Sequence, residues 1–211
     1  MLELELKQFG NVPITPSSLQ GLLAGYKRPN DKISEWIKSQ TLIPIRRGLY
    51  VVGDAWRDKP LSLPLIANRL YGPSCISLDY ALAGHGLIPE RVVEITSVTA
   101  KRSRVFSTSV GRFSYTTVPI KSYALGLKSI HSDGINFLMA SPEKALCDKL
   151  LTTRNLKINH ANELLTFFEE DLRLDVEMLR NFDTRIVIAY ENLGIKPYLF
   201  NYLTQLCMEG A

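Results

Sequence analysis

The chain has 211 residues, 45% of them hydrophobic and 22% charged, enough to build one large globular domain or two smaller ones. Its net charge of +4 is uneven, because residues 1–140 carry 17 Lys and Arg against 10 Asp and Glu while residues 141–211 carry 8 against 11, so the front two thirds suit a polyanion. No apolar run approaches the roughly 18 to 20 residues that a spanning helix needs, so no membrane partner is expected.

The opening MLELELKQFG lacks the basic start and apolar stretch of a signal peptide. Cys75, Cys147 and Cys207 are odd in number, far apart and matched to no histidine spacing that would hold zinc. They are expected to be buried thiols in a reducing cytoplasm.

Residues 2–9, LELELKQF, alternate with period two like a short strand, and Gly10-Asn11-Val12-Pro13 ends it. Thr15-Pro16-Ser17-Ser18 then offers a helix start, with threonine as cap and proline at the first helical position. Leu19, Leu22, Leu23 and Tyr26 follow at helical spacing. Lys27-Arg28-Pro29 breaks this helix, and Asn30 is read as the cap of a second one over Asp31 to Gln40. There Ile33, Trp36 and Ile37 face inward, while Lys32, Ser34, Glu35, Lys38 and Ser39 face out.

Two apolar runs come next, Leu42 to Ile45 and Leu49 to Val52, separated by Arg46-Arg47-Gly48. The spacing predicts a hairpin whose loop uses glycine for a left-handed position. Its two arginines are either ordinary solvated charge at a turn or a tip that grips phosphate. The order helix, tight break, helix, hairpin is that of a winged helix-turn-helix, in which the second helix enters the major groove and the wing lies along the backbone. It also occurs in enzymes.

Asp54 to Pro60 is polar and reads as a linker. Helices are predicted from about Leu63 to Tyr71 and from Ser77 to Gly84, the latter capped by Ser77 with Asp79 in its first turn. Strands are predicted at Val92 to Thr99, Val105 to Thr108, Gly111 to Val118 and Ile135 to Ala140. The basic corner Lys101-Arg102-Ser103-Arg104 is either a secondary nucleic-acid contact or a solvated loop. Ser141-Pro142-Glu143 opens a helix that buries Leu146, Cys147, Leu150 and Leu151. Beyond Asn159 four helical segments are expected, near 160–171, 175–181, 184–192 and 197–208. The predicted fold is therefore α+β, with a winged helix-turn-helix over 1–57, a mixed α/β domain over 60–150 and a helical region over 151–211.

His85, His131 and His160 sit in no catalytic constellation, and His85 between two glycines reads as a side chain packing a tight turn. No P-loop, G-x-S-x-G, H-E-x-x-H or G-x-G-x-x-G pattern occurs, nor a D-x-D pair of the kind used in two-metal nucleotidyl transfer. No catalytic residue, cofactor or metal is expected. The competing enzyme reading is a metal-dependent nuclease using Glu94 or Asp79.

Four stretches in order resemble one family: RRGLYVV at 46–52, IANRLYGPSCISLDYALAGHGLIPE at 66–90, VEITSVTAKRSRVFSTSVGRFSY at 93–115 and MASPEKALCDKL at 139–150. By these the chain is similar to the AbiEi antitoxins of abortive-infection, type IV toxin-antitoxin systems, predicted transcriptional regulators of viral defence. The resemblance implies a cytoplasmic protein whose winged helix binds inverted repeats in its own promoter DNA. It also implies a larger remainder that counteracts a nucleotidyltransferase-like toxin without needing a stable complex. On this resemblance Arg46 and Arg47 are the wing contacts, Lys32, Ser34 and Lys38 the outward face of the recognition helix, and Lys27, Arg28 and Asn30 its entrance. Glu35 on that face opposes phosphate unless it accepts from a cytosine amino group. The first helix of a full winged domain is missing or very short, since residues 2–8 look strand-like.

Overall fold

The structure, a computed structural model, describes residues 5–209. Residues 5–9 form a short helical turn and not a strand. A strand there would need a neighbour for its amides. The turn instead pairs its carbonyls locally, Lys7 O accepting from Gly10 N and Phe9 O from Val12 N, and it drives Leu6 into a core with Leu19 and Leu23. Residues 2–4 of the expected strand lie outside the described residues.

Helix α1, Pro16–Leu22, starts as expected, the Thr15 hydroxyl accepting from Ser18 N. It stops sooner than its leucine spacing suggested, leaving Tyr26 outside the helix and exposed. Helix α2, Pro29–Lys38, begins at Pro29, so Asn30 lies inside the first turn and is not the cap. Proline fits there because its missing amide would have had no partner in the helix. Ile33 and Trp36 are buried on its inner face.

Strands β1, Leu42–Arg46, and β2, Leu49–Val52, make the expected hairpin, but Arg46 pairs with Leu49, so the turn proper is Arg47-Gly48. Gly48 has φ +78°, the left-handed conformation the turn requires. Ile14 bridges to Tyr50 on the free side of β2, with N–H to O bonds in both directions.

The linker folds into a short turn, Asp54–Trp56, with Arg57 ion-paired to Asp54. Helix α3, Leu63–Leu70, then leads to β3, Cys75–Ile76, α4, Leu78–Gly84, and strands β4, Ile95–Thr99, β5, Arg104–Thr108, and β6, Gly111–Thr117. One turn of helix, α5, Ile120–Tyr123, precedes the hairpin of β7, Leu127–Ser132, and β8, Ile135–Ala140. The six strands form one mixed sheet in the order β5-β6-β4-β3-β8-β7, parallel at β6/β4 and β3/β8 and antiparallel elsewhere.

Helix α6, Pro142–Thr152, opens on the Ser141 hydroxyl, which accepts from Lys144 N. The rest is helical, as expected: α7, Ala161–Thr166, a wide turn Phe167–Asp171, a 3-10 turn Val176–Asn181, α8, Thr184–Glu191, and α9, Pro197–Glu209. The protein is thus mixed α+β.

Two hydrophobic clusters fill it. The smaller joins Leu6, Ile14, Leu19, Leu23, Trp36, Leu42 and Val52. The larger runs from α3 through the sheet to α9 and also takes in Ile45, Leu49 and Val51. The alternation of β2 therefore sends Val52 into one core and Leu49 and Val51 into the other.

Candidate nucleic-acid interface

Of the predicted contacts on the helix pair, Lys27, Arg28, Asn30, Ser34 and Lys38 are exposed. Arg28, 84% exposed at its side chain, lies 3.8 Å from Asp31, a loose pair that solvent screens. Ser34 turns its hydroxyl back to Asn30 O at 2.9 Å. Lys32 departs from the expected outward array. Only 16% of its side chain is exposed, its Nζ sits 2.8 Å from Glu35 Oε1, and it lies 5.6 Å from the centroid of the Trp36 ring. The spacing that put Lys32 and Glu35 on one face also lets them pair at i, i+3, so each masks the other.

Arg46 and Arg47 are exposed at the hairpin end. The hairpin does not project freely, since Ile45, Leu49 and Val51 anchor it to the larger core. Its placement is fixed further at Gly53, where a Cβ would collide with the Gln40 carbonyl.

Lys101, Arg102 and Arg104 are exposed as well. The corner they form is built on Tyr71, which the sequence did not single out. Lys101 Nζ lies 5.7 Å and the Arg104 guanidinium 5.5 Å from the Tyr71 ring centroid, within cation–π reach. Tyr71 OH donates to Arg102 O at 3.1 Å, and Lys101 Nζ donates to Gly72 O. Thirty residues separate Tyr71 from Lys101, so no local pattern could have announced the pairing.

The carboxylates of the nuclease reading are each engaged by a cation. Asp79 accepts from Lys149 at 2.6 Å, and Glu94 pairs with Arg112 at 3.3 Å. Among the described residues no three His, Cys, Asp or Glu side chains gather as a metal site. His85, expected to pack its own tight turn, reaches away from it, with Nε2 at 2.8 Å from Ala140 O at the end of β8.

The densest polar cluster lies inside the protein. Lys144 and Asp148 are fully buried, with Lys144 Nζ 3.1 Å from Asp148 Oδ2. Lys144 also donates to Ser122 O and Tyr190 OH, both at 3.0 Å. Asp148 accepts from Ser77 Oγ at 2.7 Å and from Tyr190 OH at 2.6 Å. Ser77 thus spends its hydroxyl on Asp148 and does not cap α4, contrary to the expected cap. Burial pushes the Asp148 carboxyl above the usual range, opposed by Lys144, Tyr190 and Ser77. The three cysteines are free and buried, and burial raises the Cys75 thiol to about 12 and Cys207 to about 11, which suits inert packing. With no solvent access this cluster joins elements and presents no reactive group. The exposed cations are what the surface offers a partner.

No protein-family model matches the chain, and no curated protein matches it.

Proposed function

We propose that the chain is a DNA-binding antitoxin that represses its own operon and counteracts a nucleotidyltransferase-like toxin, with residues 1–57 as a winged helix-turn-helix. The observation that carries the DNA-binding part is the antiparallel bridge between Ile14 and Tyr50, a single residue pair that ties the segment before α1 to the free side of the two-stranded β1–β2 hairpin. A helix pair backed by such a small sheet is how a winged helix holds its wing beside the recognition helix. Here it leaves Lys38 on the helix, and Arg46 and Arg47 on the wing, open to phosphate. The antitoxin part rests on the resemblance of the four sequence stretches. Residues 60–150 and 151–211 are then the regions that act on the toxin, and the front-heavy positive charge fits a promoter-facing N-terminus.

An electrophoretic shift on the chain's own upstream region tests the DNA reading. Arg46→Ala with Arg47→Ala should weaken binding and reduce the slope of log K against log salt by about two, one per lost phosphate contact. An unchanged affinity and slope would remove the wing assignment. Co-expression with a neighbouring nucleotidyltransferase-like gene tests the antitoxin part. Rescue of growth by the wild type supports it, and binding without rescue leaves a winged-helix regulator without a toxin.

A further inference from the structure

We propose that a cavity between the linker and the central sheet binds a small zwitterion with an apolar body, of the chemical class of a free apolar amino acid or a short apolar peptide. This goes beyond the DNA-binding reading and stands without it. The cavity has a volume of about 480 Å³, within the range of small-molecule sites. Its floor is β8, where Ile135, Phe137 and Met139 alternate along the strand and so share one face. Tyr80 on α4 and the Ser132-Asp133 turn between β7 and β8 also line it. The linker supplies a further wall through Pro60, Leu61 and Pro64. That wall is set before any ligand arrives, because the prolines fix their φ angles and Ser62 N donates to Asn11 O at 3.2 Å beside the cavity.

The charges at this cavity define what it takes. Lys59 and Asp133 both line it and both are exposed, yet among the described residues no carboxylate pairs with Lys59 and no cation with Asp133. Asp133 sits at φ +54° in its turn, where the Ser132 hydroxyl donates to its Oδ2 at 3.3 Å. A purely anionic ligand would be drawn to Lys59 and repelled by Asp133, and a purely cationic one the reverse. An uncharged apolar ligand would strip water from both charges and answer neither. A molecule with a carboxylate for Lys59 and an ammonium for Asp133 satisfies both, while its apolar part rests on Phe137 and Ile135. Tyr80 adds a neutral donor. Its hydroxyl has no hydrogen-bond partner among the described residues, and burial pushes the phenol up, so it stays protonated.

Calorimetric titration of the full chain with L-phenylalanine and with L-leucyl-L-phenylalanine provides the test. Each is run beside its N-acetyl form, which lacks the ammonium, and its C-terminal amide, which lacks the carboxylate. At least one of the two zwitterions should bind at millimolar concentration or below and raise the thermal midpoint, and which of them binds tells amino acid from peptide. Each blocked form should bind about tenfold more weakly, the worth of one charge-assisted hydrogen bond. Lys59→Gln should then bind the zwitterion and its amide equally, and Asp133→Asn the zwitterion and its N-acetyl form equally. Both positions are exposed, and asparagine accepts the left-handed backbone at 133, so neither exchange disturbs the fold. No heat and no stabilisation with either zwitterion, or blocked forms that bind as tightly as the free ones, would overturn the site. Discrimination that survives in either variant would overturn it as well.

Discussion

Lys144 and Asp148 show how one residue pair ties distant parts of the chain. Removing either partner leaves the other charge buried without compensation, so Asp148→Ala should cost about 3–5 kcal/mol in urea unfolding. Exchanging the whole set, Lys144→Met with Asp148→Leu and Tyr190→Phe, should recover most of that loss, because an apolar replacement has no charge to desolvate. The pair also sets a pH dependence. The folded pKa of Asp148 is raised, so its contribution to stability is fully present below the ordinary carboxylate value and declines as pH rises through the folded one. The unfolding free energy of the wild type relative to Asp148→Asn, followed from pH 3 to 7, should therefore fall with pH, and a flat difference would contradict it. Nothing local in the sequence marks this site. Ser141-Pro142-Glu143 is readable as a helix start, but Ser77 and Tyr190 reach Asp148 across 71 and 42 residues. The same distance in sequence hid the Tyr71 platform, while the exposed arginines were legible because a charged pair at a glycine turn needs no tertiary partner to be seen.

At the scale of elements, local chemistry wrote most of the fold. Capped and proline-opened helices such as α1 and α6 are where the sequence places them, and the helical tail follows its apolar spacing closely. Strand β3 has two residues, too few for any period. Strand β7, LKSIHS, is a largely exposed edge with no buried face to impose alternation. The first residues misled because an isolated Leu-x-Leu pattern fits a turn with Leu6 buried as well as it fits a strand. Lys196 supplies a contact of a different kind. At φ +49°, its Nζ donates to Leu150 O at 2.9 Å, Leu151 O at 3.2 Å and Thr153 O at 2.7 Å, closing the carbonyl end of α6 with a positive charge. Lys196→Ala should destabilise by about 1–3 kcal/mol, the range for losing charge-assisted hydrogen bonds, and should speed amide exchange in the last turn of α6. Lys196→Gly removes the same bonds but relaxes the left-handed backbone, so it should cost less than the alanine.

For the molecule as a whole, the hairpin is the joint between two cores. Val52 belongs to the smaller cluster and Leu49 and Val51 to the larger, so neither core can open without disturbing the same two strands. Shared burial of this kind makes the two units unfold together. Both tryptophans report the smaller cluster, Trp36 from within it and Trp56 packed against it, whereas far-ultraviolet dichroism reports the whole chain. The two signals should therefore give one midpoint in urea. Leu49→Ala, which empties part of the larger core, should move both midpoints by the same amount, equivalent to about 2–5 kcal/mol. If tryptophan fluorescence instead held its midpoint while dichroism shifted, the units would be independent.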